Sequence, residues 1–212
     1  MPSTSERTMN KGKLYIISAP SGAGKTSLIK KLLPQVEQLM VSVSHTTRAQ
    51  REGEQEGVDY FFTSIDAFKS EISQGCFLEY AQVFDNFYGT AQSSVETNLK
   101  LGIDVILEID WQGAEQIRQL LPETVTIFIL PPSTEVLRER LQGRGQDSEA
   151  IIDRRMQDAV TEISHYAEYD YLVVNDDFDT ALQELQAIIL ANRLDIKRQR
   201  TELLPLITDL LG

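Results

Sequence analysis

The sequence predicts an α/β protein with a parallel five-stranded core sheet between helices. Short apolar runs rich in β-branched residues occupy positions 14–17, 41–43, 105–109, 125–130 and 171–174. Continuous runs of this kind are typical of strands that are covered on both faces. Helical patterns lie between several of the runs, and strands that alternate with helices favour a parallel sheet.

Length, composition and charge exclude several classes of protein. The 212 residues are 42% hydrophobic and 25% charged, close to the globular average. One cysteine and two histidines exclude a disulfide framework and a cysteine-built zinc site. The net charge of −12 argues against nucleic acid and anionic membranes as partners. Because residues 1–12 lack a signal-peptide core and no run is long enough to span a membrane, we expect a flexible tail and a cytoplasmic protein.

The first strand leads directly into a phosphate-binding motif. Ala-Pro-Ser-Gly-Ala-Gly-Lys-Thr occupies positions 19–26, and a helical pattern follows at 27–33. Loop amides, glycines that permit close approach and a helix N-terminus together favour a bound phosphate. Lys25 would reach the β- and γ-phosphates, and the Thr26 hydroxyl would ligate Mg²⁺. The motif begins with Ala19 instead of Gly, and the alternative is an ordinary strand-to-helix turn.

The loop after the second strand predicts a second anion site. Arg48 and Arg51 lie three residues apart in this loop, and Tyr60 follows downstream. Guanidinium groups bind phosphate through charge-assisted hydrogen bonds, each worth about 1.5–3 kcal/mol when shielded. The alternative is a solvated basic loop whose charge is balanced by Glu52 and Glu54.

Residues 60–91 depart from the alternation of strand and helix. The pattern predicts a helix at 64–74 that ends at a glycine, then strands at 77–84 and 87–91 joined by an Asp-Asn turn. We therefore expect a small antiparallel insertion on the parallel core.

Some polar residues before, in and after this insertion match the edge of a guanine ring. Guanine presents N1–H and an exocyclic amino group as neighbouring donors, which a carboxylate can accept, and hydroxyls can serve O6. The candidates are Ser44, Glu79, Tyr88, Thr90 and Asp110. Spacing alone favours other interpretations, namely a solvent-facing strand position for Glu79 and a half-buried core aromatic for Tyr88.

Two apolar stripes predict helices in the last third of the chain. The first stripe is Ile152, Met156, Val160, Ile163 and Ala167, and the second is Leu182, Leu185, Ile188 and Ile189. Two glycines that flank Arg144 before the first stripe predict a mobile segment. The charged helical pattern at 195–201 is either a subunit contact or a solvated end.

Four motifs together resemble the guanylate kinase family. They are Ser-Gly-Ala-Gly-Lys-Thr, Ser-His-Thr-Thr-Arg-x-x-Arg-x-Gly-Glu-x-x-Gly-x-x-Tyr-x-Phe, Phe-Leu-Glu-Tyr-Ala-x-Val-x-x-x-x-Tyr-Gly-Thr and Glu-Ile-Asp-Trp-Gln-Gly. The resemblance covers about residues 13–200 and implies a P-loop kinase in which residues 13–212 form one domain. Its parts are a core at 13–43, 92–138 and 156–212, a GMP-binding insertion at about 44–91, and a helical lid at about 139–155.

The resemblance implies an ATP:GMP phosphotransferase of purine metabolism that uses Mg²⁺. The implied GMP-binding residues are Ser44, Arg48, Arg51, Tyr60, Glu79, Tyr88, Thr90 and Asp110. The implied ATP-binding residues are Ala19, Pro20, Ser21, Gly22, Ala23, Gly24, Lys25, Thr26, Ser27, Arg144 and Asn175. The implied catalytic residues are Lys25, Arg48, Arg140, Arg144 and Arg155, and the implied metal ligand is Thr26.

Several interpretations stay open from the sequence. Glu108 stands where the family usually has aspartate, and it either orders Mg²⁺-bound water or balances the charge of Lys25. Related domains serve as phosphopeptide-binding scaffolds, and a P-loop kinase for another phosphorylated acceptor is a further alternative. Use of dGMP beside GMP and assembly into a homo-oligomer are also left open.

Overall fold

A parallel sheet of five strands forms the core of the molecule. The computed structural model describes residues 11–83, 85–143 and 148–212. The strands are β1 (Leu14–Ser18), β2 (Leu39–Val41), β3 (His45–Thr46), β4 (Phe61–Phe62), β5 (Phe77–Val83), β6 (Asn86–Ala91), β7 (Asp104–Leu107), β8 (Val125–Leu130) and β9 (Tyr171–Val174). The core sheet has the order β2-β7-β1-β8-β9 with every pair parallel, which confirms the predicted fold class.

Helices cover both faces of this sheet. They are α1 (Lys25–Leu32), α2 (Ile65–Ser73), α3 (Gln92–Lys100), α4 (Trp111–Leu120), α5 (Thr134–Gln142), α6 (Glu149–Ser164), α7 (Phe178–Arg193), α8 (Ile196–Glu202) and α9 (Leu204–Leu211). Alternate residues of β1 point to opposite faces, so Tyr15 and Ile17 pack with α1 and α7, and Leu14 and Ile16 pack with α3 and α4. Among the described residues, no helix is long and apolar enough to cross a membrane.

A second, mixed sheet is inserted between β2 and α3. Its order is β4-β3-β6-β5, in which β3 pairs parallel with β4 and antiparallel with β6. The preceding helix α2 is capped by Ser64, whose Oγ accepts a hydrogen bond from the Ala67 N–H. Buried Phe68 of α2 stacks on Phe77 and Phe87, and this contact fixes the helix on the sheet.

The predicted bounds of one strand and the predicted burial of residues in one strand and one helix are wrong. The second strand is β2 at 39–41 instead of 41–43, since its pairing with β7 ends where the Ser42 N–H donates to the Ile106 carbonyl. The last strand has the predicted bounds, but β9 is an edge strand, and its residues Tyr171, Leu172 and Val174 are exposed. Val160 is 66% exposed, since the stripe of α6 is centred on its buried neighbour at 159. Position 84, predicted to end a strand, lies outside the described residues.

The strand order places a crevice at the carboxyl end of β1. From β1 the chain passes to β2 and β7 on one side of the sheet, and then crosses to β8 and β9 on the other. Ligands of open α/β sheets bind beyond the carboxyl ends of strands where the order reverses in this way. The Ser18 hydroxyl donates to the Ile109 carbonyl at 2.7 Å, which joins the segments after β1 and β7 at this crevice.

A buried carboxylate holds the opposite edge of the sheet together. Asp104 Oδ1 accepts hydrogen bonds from the Lys13 N–H (2.7 Å) and from Arg198 (3.0 Å), and its Oδ2 accepts one from Arg193 (2.8 Å). The Asp104 side chain is fully buried, and those of the two arginines are 20% and 19% exposed. The network connects β1 and β7 to the C-terminal helices α7 and α8.

We expect Asp104→Asn to lower the free energy of unfolding by about 3 kcal/mol, because it removes the charge that offsets two arginines in a largely buried network. Urea unfolding followed by circular dichroism measures the effect. The control is Asp209→Asn, which changes an exposed residue of α9. Equal stability of the two variants would contradict a structural role for Asp104.

Candidate active site

The phosphate-binding motif has the backbone that its sequence predicts. Gly22 and Gly24 both have φ of +94°, a left-handed conformation that side chains other than glycine rarely adopt. A Cβ on Gly24 would also lie 2.3 Å from Asn175 Nδ2. Gly24 is the N-cap of α1 and has no side chain that could pair with the first amides of the helix. No capping side chain therefore competes with an anion for these amides, which lie at the positive end of the helix dipole.

Asn175 supports this loop from the far side. It follows β9, is 4% exposed, and its Nδ2 donates to the Ala23 carbonyl at 2.7 Å. The backbone carbonyl of Asn175 accepts a hydrogen bond from the guanidinium of Arg140, on α5, at 3.0 Å. The side chain that the resemblance assigns to ATP is therefore packed against the phosphate-binding loop, and its contact with ATP stays a prediction.

Two oxygen-bearing side chains meet at the start of α1. Thr26 Oγ1 donates to Glu108 Oε2 at 3.1 Å, and Glu108 directly follows β7. Hydroxyl and carboxylate oxygens are ligands that Mg²⁺ prefers, with one or two from the protein and the rest from phosphates and water. Both interpretations given for Glu108 therefore stay predictions.

Glu162 of α6 is a member of the site that the sequence analysis missed. Burial raises the pKa of its carboxyl to about 7, Lys25 opposes this shift, and Asp110 and Asp158 add to it. A hydrogen bond with the Ser21 backbone also lowers this pKa, so the carboxyl lies at the phosphate-binding loop. The available signal was the phase of α6, since Glu162 lies three positions after the buried residue 159 and therefore on the inner face.

The predicted arginine pair is only partly assembled. Arg48 donates to Glu54 Oε1 at 2.7 Å, and its guanidinium lies 5.3 Å from the ring centroid of Tyr60. The Tyr60 and Tyr88 rings are 6.0 Å apart, so these aromatics line the same side of the loop. Arg51 is exposed, and its backbone N–H donates to the same Glu54 carboxylate at 2.8 Å.

Electrostatics hold Arg48 and Glu54 as an ion pair. Burial alone favours the neutral form of each, but the hydrogen bond between them raises the pKa of Arg48 and lowers the pKa of Glu54. Burial also raises the pKa of Tyr60. Glu54 is thus one of the two balancing acids that the alternative interpretation names. The Arg48 side chain is only 13% exposed and faces two tyrosines, so it does not lie in a solvated loop.

Glu79 is buried, so the solvent-facing interpretation of this residue is wrong. It lies on β5 opposite Thr90 of β6, after a register irregularity between positions 77 and 79. Thr90 Oγ1 donates to Glu79 Oε1 at 2.5 Å, and Glu79 is 3% exposed. Burial raises the pKa of the Glu79 carboxyl to about 7; the Thr90 hydrogen bond opposes this shift and the Asp110 carboxylate adds to it.

Asp110 brings a second carboxylate to the same place. It is the N-cap of α4, and its Oδ1 accepts a hydrogen bond from the Gly113 N–H at 3.0 Å. Gln112 Nε2 donates to the other oxygen at 3.1 Å. Ser44 is half-buried at the end of the second sheet, where its carbonyl accepts a hydrogen bond from the Phe61 N–H.

The predicted lid arginines have different surroundings. Arg140 contacts the carbonyl of Asn175, and Arg155 is half-buried on α6. Arg138, which the sequence analysis did not single out, pairs with both Glu149 and Asp153. Arg144 lies outside the described residues.

The chain matches known proteins over nearly its whole length. The guanylate kinase family profile matches residues 11–192. The guanylate kinase of Saccharophagus degradans is 59% identical over 95% of this chain and 98% of the relative, and that of Hahella chejuensis is 60% identical over 91% and 92%. A crystal structure of guanylate kinase from Anaplasma phagocytophilum has a TM-score of 0.76 at 36% identity, covering 89% of this chain and 90% of that one. This chain belongs to the guanylate kinase family.

Proposed function

We propose that this chain transfers the γ-phosphoryl group of ATP to GMP and releases ADP and GDP. The observation that carries the proposal is the buried Glu79 carboxylate beside Asp110, in a site whose neighbouring loop has the backbone of a phosphate cradle. A buried carboxylate costs free energy unless a ligand supplies donors, and guanine offers two adjacent ones. The location that we propose for the reaction is the cytoplasm.

The donor nucleotide would lie at the start of α1. The loop at 19–24 and the first turn of α1 supply amide donors for its phosphates. Lys25, half-buried beside the loop, supplies a mobile positive charge. We assign Mg²⁺ to Thr26, whose hydroxyl contacts Glu108; the ion would neutralise phosphate charge and orient the oxygens.

The acceptor nucleotide would lie between the second sheet and α4. Glu79 and Asp110 accept the hydrogen bonds of guanine N1–H and its amino group, while Ser44 and Thr90 face O6. The phosphate of the acceptor is assigned to Arg48, Arg51, Tyr60 and Tyr88. In the structure Arg48 is held by Glu54, so the phosphate would have to share or displace this carboxylate.

The transfer itself needs positioning and charge compensation more than covalent chemistry. An oxygen of the GMP phosphate is already a nucleophile, so no side chain has to act as a general base. Lys25 offsets charge on the transferring group, and we assign the same role to Arg140, Arg144 and Arg155. Closure of the lid over these groups would exclude water, which otherwise hydrolyses ATP.

A coupled assay of ADP release with ATP and one candidate acceptor at a time tests the proposal. The acceptors are GMP, dGMP, AMP, UMP, a sugar phosphate and a blank without acceptor. We expect turnover with GMP well above all non-guanine acceptors. Turnover with the sugar phosphate alone, or with none of them, would favour the other-acceptor kinase or the scaffold.

We expect GMP binding to become about tenfold tighter between pH 6 and pH 8. The pKa of Glu79 is raised to about 7, so the accepting carboxylate is a minor species at pH 6 and the main species at pH 8. Apparent affinity scales with the fraction in the competent form. Calorimetric titration with GMP at both pH values measures the change.

The control for this pH series is Glu79→Gln, in which the titrations of the GMP phosphate, near pH 6, and of Glu162, whose pKa is about 7, remain. A pH dependence of equal size in the variant and the unmodified chain would contradict the assignment to Glu79.

A further inference from the structure

Gly113 lies between the two buried carboxylates of the site. It belongs to the first turn of α4, and its N–H donates to Asp110 Oδ1 at 3.0 Å. On its other side, the space that a Cβ would take is occupied by Glu79. A Cβ built on Gly113 would lie 2.5 Å from Glu79 Oε2, 3.2 Å from Glu79 Cδ and 3.3 Å from Ile109 Cδ1.

The helix itself does not require a glycine here. The backbone of Gly113 has ordinary right-handed helical angles, unlike the left-handed Gly22 and Gly24. Alanine is the better helix former, by about 0.8–1 kcal/mol in a helix interior, and Gly113, the third residue of α4, gains nothing from being glycine in this first turn. Since the local conformation gives no reason for a glycine, the close approach of the Glu79 carboxylate is the reason that the structure offers.

The Glu79 carboxylate is confined on its remaining sides. Thr90 holds its Oε1, and the antiparallel pairing of β5 with β6 fixes the backbone on both sides of it. Gln116 of α4 both accepts from the Tyr80 N–H and donates to the Tyr80 carbonyl, so α4 cannot withdraw from β5 without losing two hydrogen bonds. A Cβ at position 113 would therefore be relieved mainly by displacement of the Glu79 carboxylate.

We propose that Gly113 is a positioning residue that sets the base selectivity of the acceptor site. The hydrogen bond from the Gly113 N–H orients the Asp110 carboxylate, and the absence of a side chain on Gly113 leaves room for the Glu79 carboxylate. The two carboxylates can therefore accept from neighbouring donors of one base. The inference rests on the proposed function, since it names what aligns the groups assigned to guanine. Gly113 touches no reacting atom and acts through Glu79 and Asp110.

The test is Gly113→Ala, assayed with GMP and with AMP as acceptors. We expect kcat/KM for GMP to fall roughly tenfold or more, mainly through a higher KM for GMP, because a displaced carboxylate no longer meets its donors. KM for ATP should change less than about twofold, and kcat/KM for AMP should change little. The ratio of GMP to AMP activity therefore falls, whereas general damage to the fold would lower both activities together.

Gln119→Ala is the matched control, because it changes an exposed residue of the same helix. It should leave KM for GMP and the GMP to AMP ratio as in the unmodified chain. A folded Gly113→Ala protein with an unchanged GMP to AMP ratio would overturn the inference. Failure of the unmodified chain to phosphorylate GMP would instead overturn the proposed function, so the two failures are distinguishable.

A double-variant cycle tests whether Gly113 acts through Glu79. In a Glu79→Ala background the added Cβ meets no carboxylate, so Gly113→Ala should cause no further loss of GMP activity and no drop in melting temperature. An equal loss in both backgrounds would overturn the proposal. If Gly113→Ala alone fails to fold, recovery of folding in the double variant supports the steric contact, and its absence rejects it.

Discussion

Replacement of Lys25 by alanine is expected to leave the chain folded and to lower kcat about 10²- to 10⁴-fold. Lys25 begins α1 and is half-buried beside the phosphate-binding loop, so its loss removes positive charge where the transferring phosphoryl group would lie. The effect should be mainly in kcat, since charge on the γ-phosphoryl group grows as the reaction proceeds. Steady-state kinetics with saturating ATP and GMP measures it.

Lys31→Ala provides the control for this variant, because Lys31 is an exposed lysine six residues later on the same helix. Its kinetics should match those of the unmodified chain, and circular dichroism should show both variants folded. Near-normal turnover in a folded Lys25→Ala protein would refute the role given to Lys25.

Glu79→Gln should lower the preference for GMP over AMP by about 10²-fold or more. The substitution replaces one carboxylate oxygen, which accepts hydrogen bonds, by an NH₂ group, which donates them and so opposes the donors of guanine. Sites that recognise a ligand through buried hydrogen bonds discriminate strongly against ligands that lack the partner. AMP lacks the donor pair, so its activity should change little. The measurement is the ratio of kcat/KM values, with Glu123→Gln, an exposed loop residue, as control. An unchanged ratio would move base recognition to other residues.

The same variant should be more stable than the unmodified chain above neutral pH. Because burial raises the pKa of Glu79 from 4.5 to about 7, its favourable contribution to stability is present below pH 4.5 and is lost as the pH rises through 7. At pH 8 the charged carboxylate costs about 3 kcal/mol, which glutamine does not. A gain in stability with a loss of selectivity would identify Glu79 as a group kept for ligand binding.

The sequence predicted each strand of the core sheet to within two residues at either end, including β7, which was expected at 105–109 and lies at 104–107. β8 and β9 have the predicted bounds, and β1 differs by one residue. The sequence did not predict which strands lie at the edges of the sheet. The range predicted for β2 was therefore two residues too late, and β9 was expected to be covered on both faces. Strand order depends on how the connecting helices cross the sheet. The apolar pattern of one strand does not show which strands pair with it.

The candidate site divides in the same way. The resemblance named Glu79, Thr90 and Asp110, but residue type favoured an exposed Glu79, because glutamate is almost never fully buried unless it is paired. In the structure Glu79 alternates in phase with buried Ala81 on the inner face of β5. Glu162 was missed because the apolar stripe of its helix was centred one residue too far along. Arg144 and the lid segment beside it lie outside the described residues, so their roles stay predictions.

The sequence by itself determined the phosphate-binding loop and the class of fold. Both depend on residues within a few positions of one another: glycines at fixed spacing before a helix, and short apolar runs between helical patterns. Only the tertiary structure decided that Asn175 supports Ala23, that Thr26 meets Glu108, and that Gly113 leaves room for Glu79. These pairs are separated by 152, 82 and 34 positions, and their contacts exist only after the sheet has brought distant segments to one edge.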